Sequence, residues 1–121
     1  MKRILVIDDE APIRALMEQV LTREGYGVIS APNGKNALEI AKEQAVHLVI
    51  TDIIMPDKEG LETIRELTRE LPDLPIIAMS GGGRNSPEGY LATARILGAD
   101  AAIEKPIRRE SLLELINTVL E

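Results

Sequence analysis

The chain has 121 residues, 45% of them hydrophobic and 28% charged, the profile of one globular domain. It has no cysteine, which excludes disulfides, thiolate metal sites and a cysteine nucleophile. Its formal charge of −6 argues against direct binding of nucleic acid, which needs clustered Lys and Arg. No apolar run approaches the ~18 residues of a membrane span. The start, MKRILVIDDE, turns acidic at Asp8 and lacks a small-residue cleavage site, so a cytoplasmic domain without membrane contact is expected. Tyr26 and Tyr90 are the whole aromatic supply, so the core must be aliphatic.

Five apolar runs of strand length alternate with stretches of helical spacing. The first run, Ile4–Ile7, is followed by Ile13, Leu16, Met17, Val20 and Leu21 at three- and four-residue steps, with Pro12 in the first turn, where proline is tolerated. Val28–Ile29 precedes a helix through Ala37, Leu38, Ile40 and Ala41, for which Asn33 reads as the cap. Val46–Ile50 precedes Leu61, Ile64, Leu67 and Leu71, with Pro72 as the stop. Ile76–Met79 precedes Tyr90, Leu91, Ala94 and Leu97, with Pro87 near the start and Gly98 at the end. Ala101–Ile103 precedes Leu112, Leu113, Leu115, Ile116, Val119 and Leu120.

Continuously apolar strands belong to a sheet buried on both faces. Five of them, each followed by a helix, give an α/β fold, a doubly wound (βα)5 sandwich with a parallel sheet and right-handed crossovers. Residues 1–121 are expected to be a single domain with no effector domain in this chain. Such sheets place their chemistry beyond the C-terminal strand ends. The residues there are Asp8 and Asp9, then Asp52, then Ser80, then Lys105; Ser30 and Ala31, after the second strand, carry no signal.

Three carboxylates at one edge repel, and a hard divalent cation with oxygen ligands resolves the repulsion. A metal, an ammonium and a hydroxyl around one carboxylate suit the binding or transfer of a phosphoryl group, with the carboxylate able to act as nucleophile. Each mark alone has a plainer explanation. An Asp-Asp pair caps a helix, Met-Pro-Asp makes a turn, and Lys105-Pro106 can be a solvated lysine before a turn. His47, at a strand entrance, reads as structural.

The stretches ILVIDDE, VITDIIMPDKEGLETI, IIAMSG and GADAAIEKPI together resemble the receiver domain of two-component response regulators, over nearly the whole chain and in order. The resemblance implies the flavodoxin-like, CheY-like strand order 2-1-3-4-5 and a stand-alone receiver. It makes Asp52 the phospho-acceptor, phosphorylated from a sensor histidine kinase or histidine phosphotransfer protein. Asp9 then resembles the direct Mg²⁺ ligand, Asp8 the holder of a metal-bound water, and the backbone carbonyl of Ile54 a further ligand beside Asp52. Lys105 would pair with the phosphoryl group, Ser80 would hydrogen-bond it with Gly81 alongside, and Pro106 would follow a cis peptide bond. Signalling would run through phosphorylation-dependent contacts with an unknown protein target. No enzymatic turnover of a separate substrate is expected, only self-phosphorylation and slow autodephosphorylation.

Four positions depart from the family pattern. Ala102 stands where an aromatic usually turns inward, and Tyr90 reads as a packing or surface residue rather than its substitute. GGGRNSPEG after Ser80 is a few residues longer than usual, and is expected to be mobile and to order when Ser80 engages a phosphoryl group. Ile54 replaces a frequently polar residue that guides water, so a long-lived acyl phosphate is expected. Ile107 replaces a common aromatic, and with Ile13 it either forms an aliphatic docking patch for the donor or is buried. Three rivals share the sheet edge. A Mg²⁺-dependent aspartyl phosphohydrolase would want an acid at position 54. A flavin module would want a Ser/Thr-rich loop where the chain has DDEAP. A degenerate, binding-only receiver would have lost Asp9, Asp52 or Lys105.

Overall fold

The computed structural model describes residues 1–53, 60–80, 92 and 94–120. Its strands are β1 (Arg3–Ile7), β2 (Gly27–Ala31), β3 (Leu48–Asp52), β4 (Ile76–Ser80) and β5 (Ala101–Glu104). They form one sheet in the order β2-β1-β3-β4-β5, every neighbouring pair parallel. The helices are α1 (Ala11–Arg23), α2 (Ala37–Glu43), α3 (Gly60–Glu70), α4 (helical at residues 94–97) and α5 (Arg109–Leu120). This is the doubly wound fold that alternating strands and helices imply.

The strand pleat sends alternate side chains into two separate cores. Leu5, Ile7, Val49, Ile76 and Ala78 pack with α2, α3 and α4 residues such as Ala37, Ala41, Ile64, Leu67 and Ala94. Ile4, Val6, Leu48, Ile50, Ile77 and Met79 pack with Met17 and Leu21 of α1 and Leu112 and Ile116 of α5. Every residue of β3 and β4 is buried, whereas the edge strands β2 and β5 are only partly covered. Each fully buried Val, Leu or Ile contributes about 1.5–3 kcal/mol. Sliding β3 by one residue would exchange its two faces between cores, so the position of Asp52 at its end is fixed by packing.

Local details correct the sequence reading in two places. Asn36, not Asn33, is the N-cap residue of α2. The Asn33 side chain instead accepts a hydrogen bond from the Lys35 N–H at 2.9 Å, an Asx turn that forms one step earlier. Val46 is not in a strand: its N–H donates to the Ala41 carbonyl at 3.1 Å, so the turn after α2 claims it and β3 begins two residues later. His47 is structural, as its sequence position suggests: Nδ1 accepts from the Arg3 N–H at 3.0 Å, and its own N–H donates to the Arg3 carbonyl at 2.8 Å. Gly98 ends α4 at φ +123°, a conformation closed to most side chains. No helix among the described residues is long and apolar enough to cross a membrane. The segment 81–89 and Tyr90 lie outside the described residues.

Candidate functional site

The sheet order reverses between β1 and β3, and the C-terminal strand ends there carry the charged residues. Backbone bonds extend the ladder one residue past the strands. The Asp8 N–H donates to the Ala31 carbonyl at 3.1 Å, the Ile53 N–H to Met79 at 3.0 Å, and the Lys105 N–H to Ser80 at 2.8 Å. The candidate site residues at these strand ends therefore leave the sheet still hydrogen-bonded to it. Gly60 brings the start of α3 back against β3, its N–H donating to the Ile53 carbonyl at 3.1 Å. A Cβ on Gly60 would lie 1.9 Å from the Asp52 carbonyl oxygen and 2.4 Å from Ile53 Cα, so only glycine permits this approach.

Asp8 is fully buried, Asp52 is 6% exposed, and Asp9 is exposed. Carboxylate oxygens of the three lie within 4.8 Å of one another. Lys105 Nζ reaches into this cluster, 2.7 Å from Asp8 Oδ2 and 3.1 Å from Asp52 Oδ2. A third acid, Glu10, approaches the same ammonium at 3.4 Å through Oε2. Burial acts most strongly on Lys105 and disfavours its charge, but Asp8 and Asp52 together outweigh it and hold the ammonium above its ordinary pKa. Arg14 adds positive charge nearby, donating from Nη1 to the Asp8 carbonyl at 2.7 Å. The Glu10 N–H donates to Asp8 Oδ1 at 2.9 Å, which orients that carboxylate.

The donor set fits a hard cation. It consists of carboxylate oxygens from three side chains at one sheet edge, and the buried Asp8 Oδ2 is met by the Lys105 ammonium at 2.7 Å, the same ammonium that also serves Asp52. Among the described residues, Lys105 and the nearby Arg14 face Asp8, Asp9, Asp52 and Glu10, which leaves negative charge in excess, and a divalent ion with oxygen ligands would offset it.

The structure brings together Asp8, Asp9, Asp52 and Lys105, four of the residues singled out from sequence. Ser80 is buried at the end of β4 and its carbonyl holds the Lys105 backbone. The Lys105-Pro106 bond is cis. Ile54 and Gly81 lie outside the described residues. Ile13 and Ile107 are each half-buried against the α1–α5 core, between the two alternatives of docking patch and core. Ala102 sits opposite Ala78 in the β4–β5 register and is half-buried. Sequence reasoning missed Glu10, Arg14 and the Ala31 carbonyl. Glu10 and Arg14 carried one signal, a charge within one helical turn or two of the Asp pair. Ala31 acts through its backbone and carried none.

Comparison with known proteins agrees with this geometry. The family model described as response regulator receiver domain matches residues 4–117. Among curated relatives, "Probable transcriptional regulator ycf27" of Porphyridium aerugineum is 41% identical over 119 residues, covering 98% of this chain and 48% of its own length. The chain thus spans about half the length of the curated relatives it matches. Among solved structures, a response regulator receiver domain protein from Clostridium thermocellum superposes with TM-score 0.90 at 30% identity, covering 99% of this chain and 94% of that one. The receiver domain of NtrX from Brucella abortus gives TM-score 0.88 at 32% identity and 97% coverage of both chains. With its acid cluster, lysine and sheet order alike, the chain belongs to the response regulator receiver domain family of two-component signalling.

Proposed function

We propose that this receiver accepts a phosphoryl group onto Asp52 from a phosphohistidine of a sensor kinase or phosphotransfer protein and signals through the resulting change of surface. The observation that carries the reading is the pairing of Lys105 Nζ with Asp52 Oδ2 at 3.1 Å inside a cluster of three carboxylates. Asp52 is held at the end of a fully buried strand, so its nucleophilic oxygen is presented without reorganisation. That oxygen attacks phosphorus as the P–N bond to the donor imidazole breaks, the electron pair leaving with the imidazole nitrogen. Lys105 lies where it can pair with the negative charge of the transferred group. Asp8, Asp9 and Asp52, with the carbonyl of Ile54, would hold Mg²⁺, which when bound supplies positive charge for the phosphoryl oxygens. Ser80, with Gly81 next to it, is the hydroxyl assigned to hydrogen-bond the phosphoryl group. Ile13 and Ile107, half-exposed at the same end of the domain, are assigned to donor docking.

Residues 1–121 act as one receiver domain, cytoplasmic, with protein rather than nucleic acid as its direct partner. The relatives named as transcriptional regulators support an output that reaches DNA through another domain or protein. Self-phosphorylation and slow loss of the phosphoryl group are the only chemistry assigned.

Incubation with acetyl phosphate, with and without Mg²⁺, followed by intact mass, tests this reading. A gain of one phosphoryl group that needs Mg²⁺ and disappears in Asp52→Asn is expected. No gain in the wild-type protein, or the same gain in Asp52→Asn, overturns it.

A further inference from the structure

Glu10 stands apart from the acids already assigned. It occupies the N-cap position of α1, yet its side chain makes no capping hydrogen bond. Its backbone is tied down by the N–H bond to Asp8 Oδ1 at 2.9 Å, and its carboxylate reaches across to Lys105 Nζ at 3.4 Å. The acid cluster with oxygens within 4.8 Å comprises Asp8, Asp9 and Asp52, without Glu10. Lys105 is therefore shared by three carboxylates of different kinds. Asp8 and Asp52 are buried, whereas the Glu10 side chain is 59% exposed and meets the ammonium from the solvent side.

We propose that Glu10 is a positioning residue that competes for Lys105 with any anion arriving at Asp52, and so sets how strongly the pocket holds a phosphoryl group. The proposal rests on the phospho-acceptor reading of Asp52. An ammonium has three donors and a single charge. When a phosphoryl group claims Lys105, the share held by Glu10 must be given up, and the carboxylate is left beside a like-charged group. Because Glu10 is largely exposed, the competition is weakened by water and by salt, and an exposed ion pair of this kind changes an equilibrium by about three- to fivefold. The same exposure lets Glu10 act on the bound anion without being needed for the fold.

The test is the affinity of the intact chain for beryllofluoride in saturating Mg²⁺, followed by fluorine NMR or calorimetry. Glu10→Gln is compared with wild type and with Glu18→Gln, which removes an equal charge from an exposed α1 position. Glu10→Gln is expected to bind about three- to fivefold more tightly at low ionic strength. The gain should shrink towards nothing near 1 M salt, where the screening length falls to about 3 Å. Glu18→Gln should match wild type, and Mg²⁺ affinity measured without beryllofluoride should be the same in all three. Equal or weaker binding by Glu10→Gln overturns the proposal, as does an equal gain in Glu18→Gln, which would make the effect one of net charge. A loss of Mg²⁺ affinity in Glu10→Gln would make Glu10 a metal ligand instead and also overturns it. If the wild-type protein fails to bind beryllofluoride at all, the phospho-acceptor reading falls, and the proposal with it.

Discussion

Gly60→Ala probes the contact that sets Asp52 against α3. The added Cβ would lie 1.9 Å from the Asp52 carbonyl oxygen, 2.4 Å from Ile53 Cα and 2.8 Å from the Asp52 carbonyl carbon. All three are backbone atoms, so no flexible side chain can swing aside. Restoring an ordinary contact of about 3.4 Å requires the two backbones to separate by roughly 1.5 Å, in a fully packed region where one extra methylene costs about 1–3 kcal/mol. The displacement here is at the upper end of that range, so a loss of about 3 kcal/mol is expected. For a domain of this size 1 kcal/mol corresponds to about 4 °C, which places the fall in melting temperature near 12 °C. Because the strain falls on the Asp52 peptide itself, chemistry should suffer beyond stability. A misplacement of about 1 Å lowers a rate by on the order of 10²-fold. Urea titration gives the stability change, and the rate of phosphorylation from acetyl phosphate at a temperature where the variant is folded gives the chemical one. A variant with wild-type stability would refute the claim that glycine is required. A folded, destabilised variant with an unchanged phosphorylation rate would refute the claim that Gly60 holds the acceptor in place.

The other predictions concern the charges and the acyl phosphate. Lys105→Met leaves fully buried Asp8 and 6%-exposed Asp52 without their ammonium, and breaking a buried pair costs about 3–5 kcal/mol, less here because the site opens to solvent beside exposed Asp9. The variant should melt several degrees lower at neutral pH and recover more than wild type on adding Mg²⁺, read by thermal denaturation; equal Mg²⁺ stabilisation of both proteins would count against the fit of the cluster to a cation. In wild type, the raised Lys105 pKa means the pair's stabilisation is complete below the lysine's ordinary value of 10.5 and is lost only as pH rises through the higher folded value, so stability measured between pH 6 and 9 should show no decline from this group. Ile54→Asn should shorten the life of the acyl phosphate, followed by the decay of the phosphorylated mass; an unaltered decay rate would remove the argument that an aliphatic side chain at 54 gives attacking water little help.

The architecture and most of the candidate site are legible in the residue pattern of the chain. Continuous apolar runs such as Leu48–Ile50 require cover on both sides, and only a parallel sheet between helix layers provides it. Once that is known, Asp8, Asp52 and Lys105 fall at one sheet edge because each stands at, or one residue past, the C-terminal end of a strand. Local choices were less legible. Asn33 and Asn36 are equally good caps as residue types, and the turn at Lys35 decided between them. How the charge is shared depends on the folded arrangement instead. No spacing rule says that Glu10, 95 positions before Lys105, touches the same ammonium as Asp8 and Asp52, or that Gly60 lies against the Asp52 carbonyl. Those contacts exist because three strand ends and the start of a helix converge in space, and convergence is a property of the folded sheet, not of any stretch of chain.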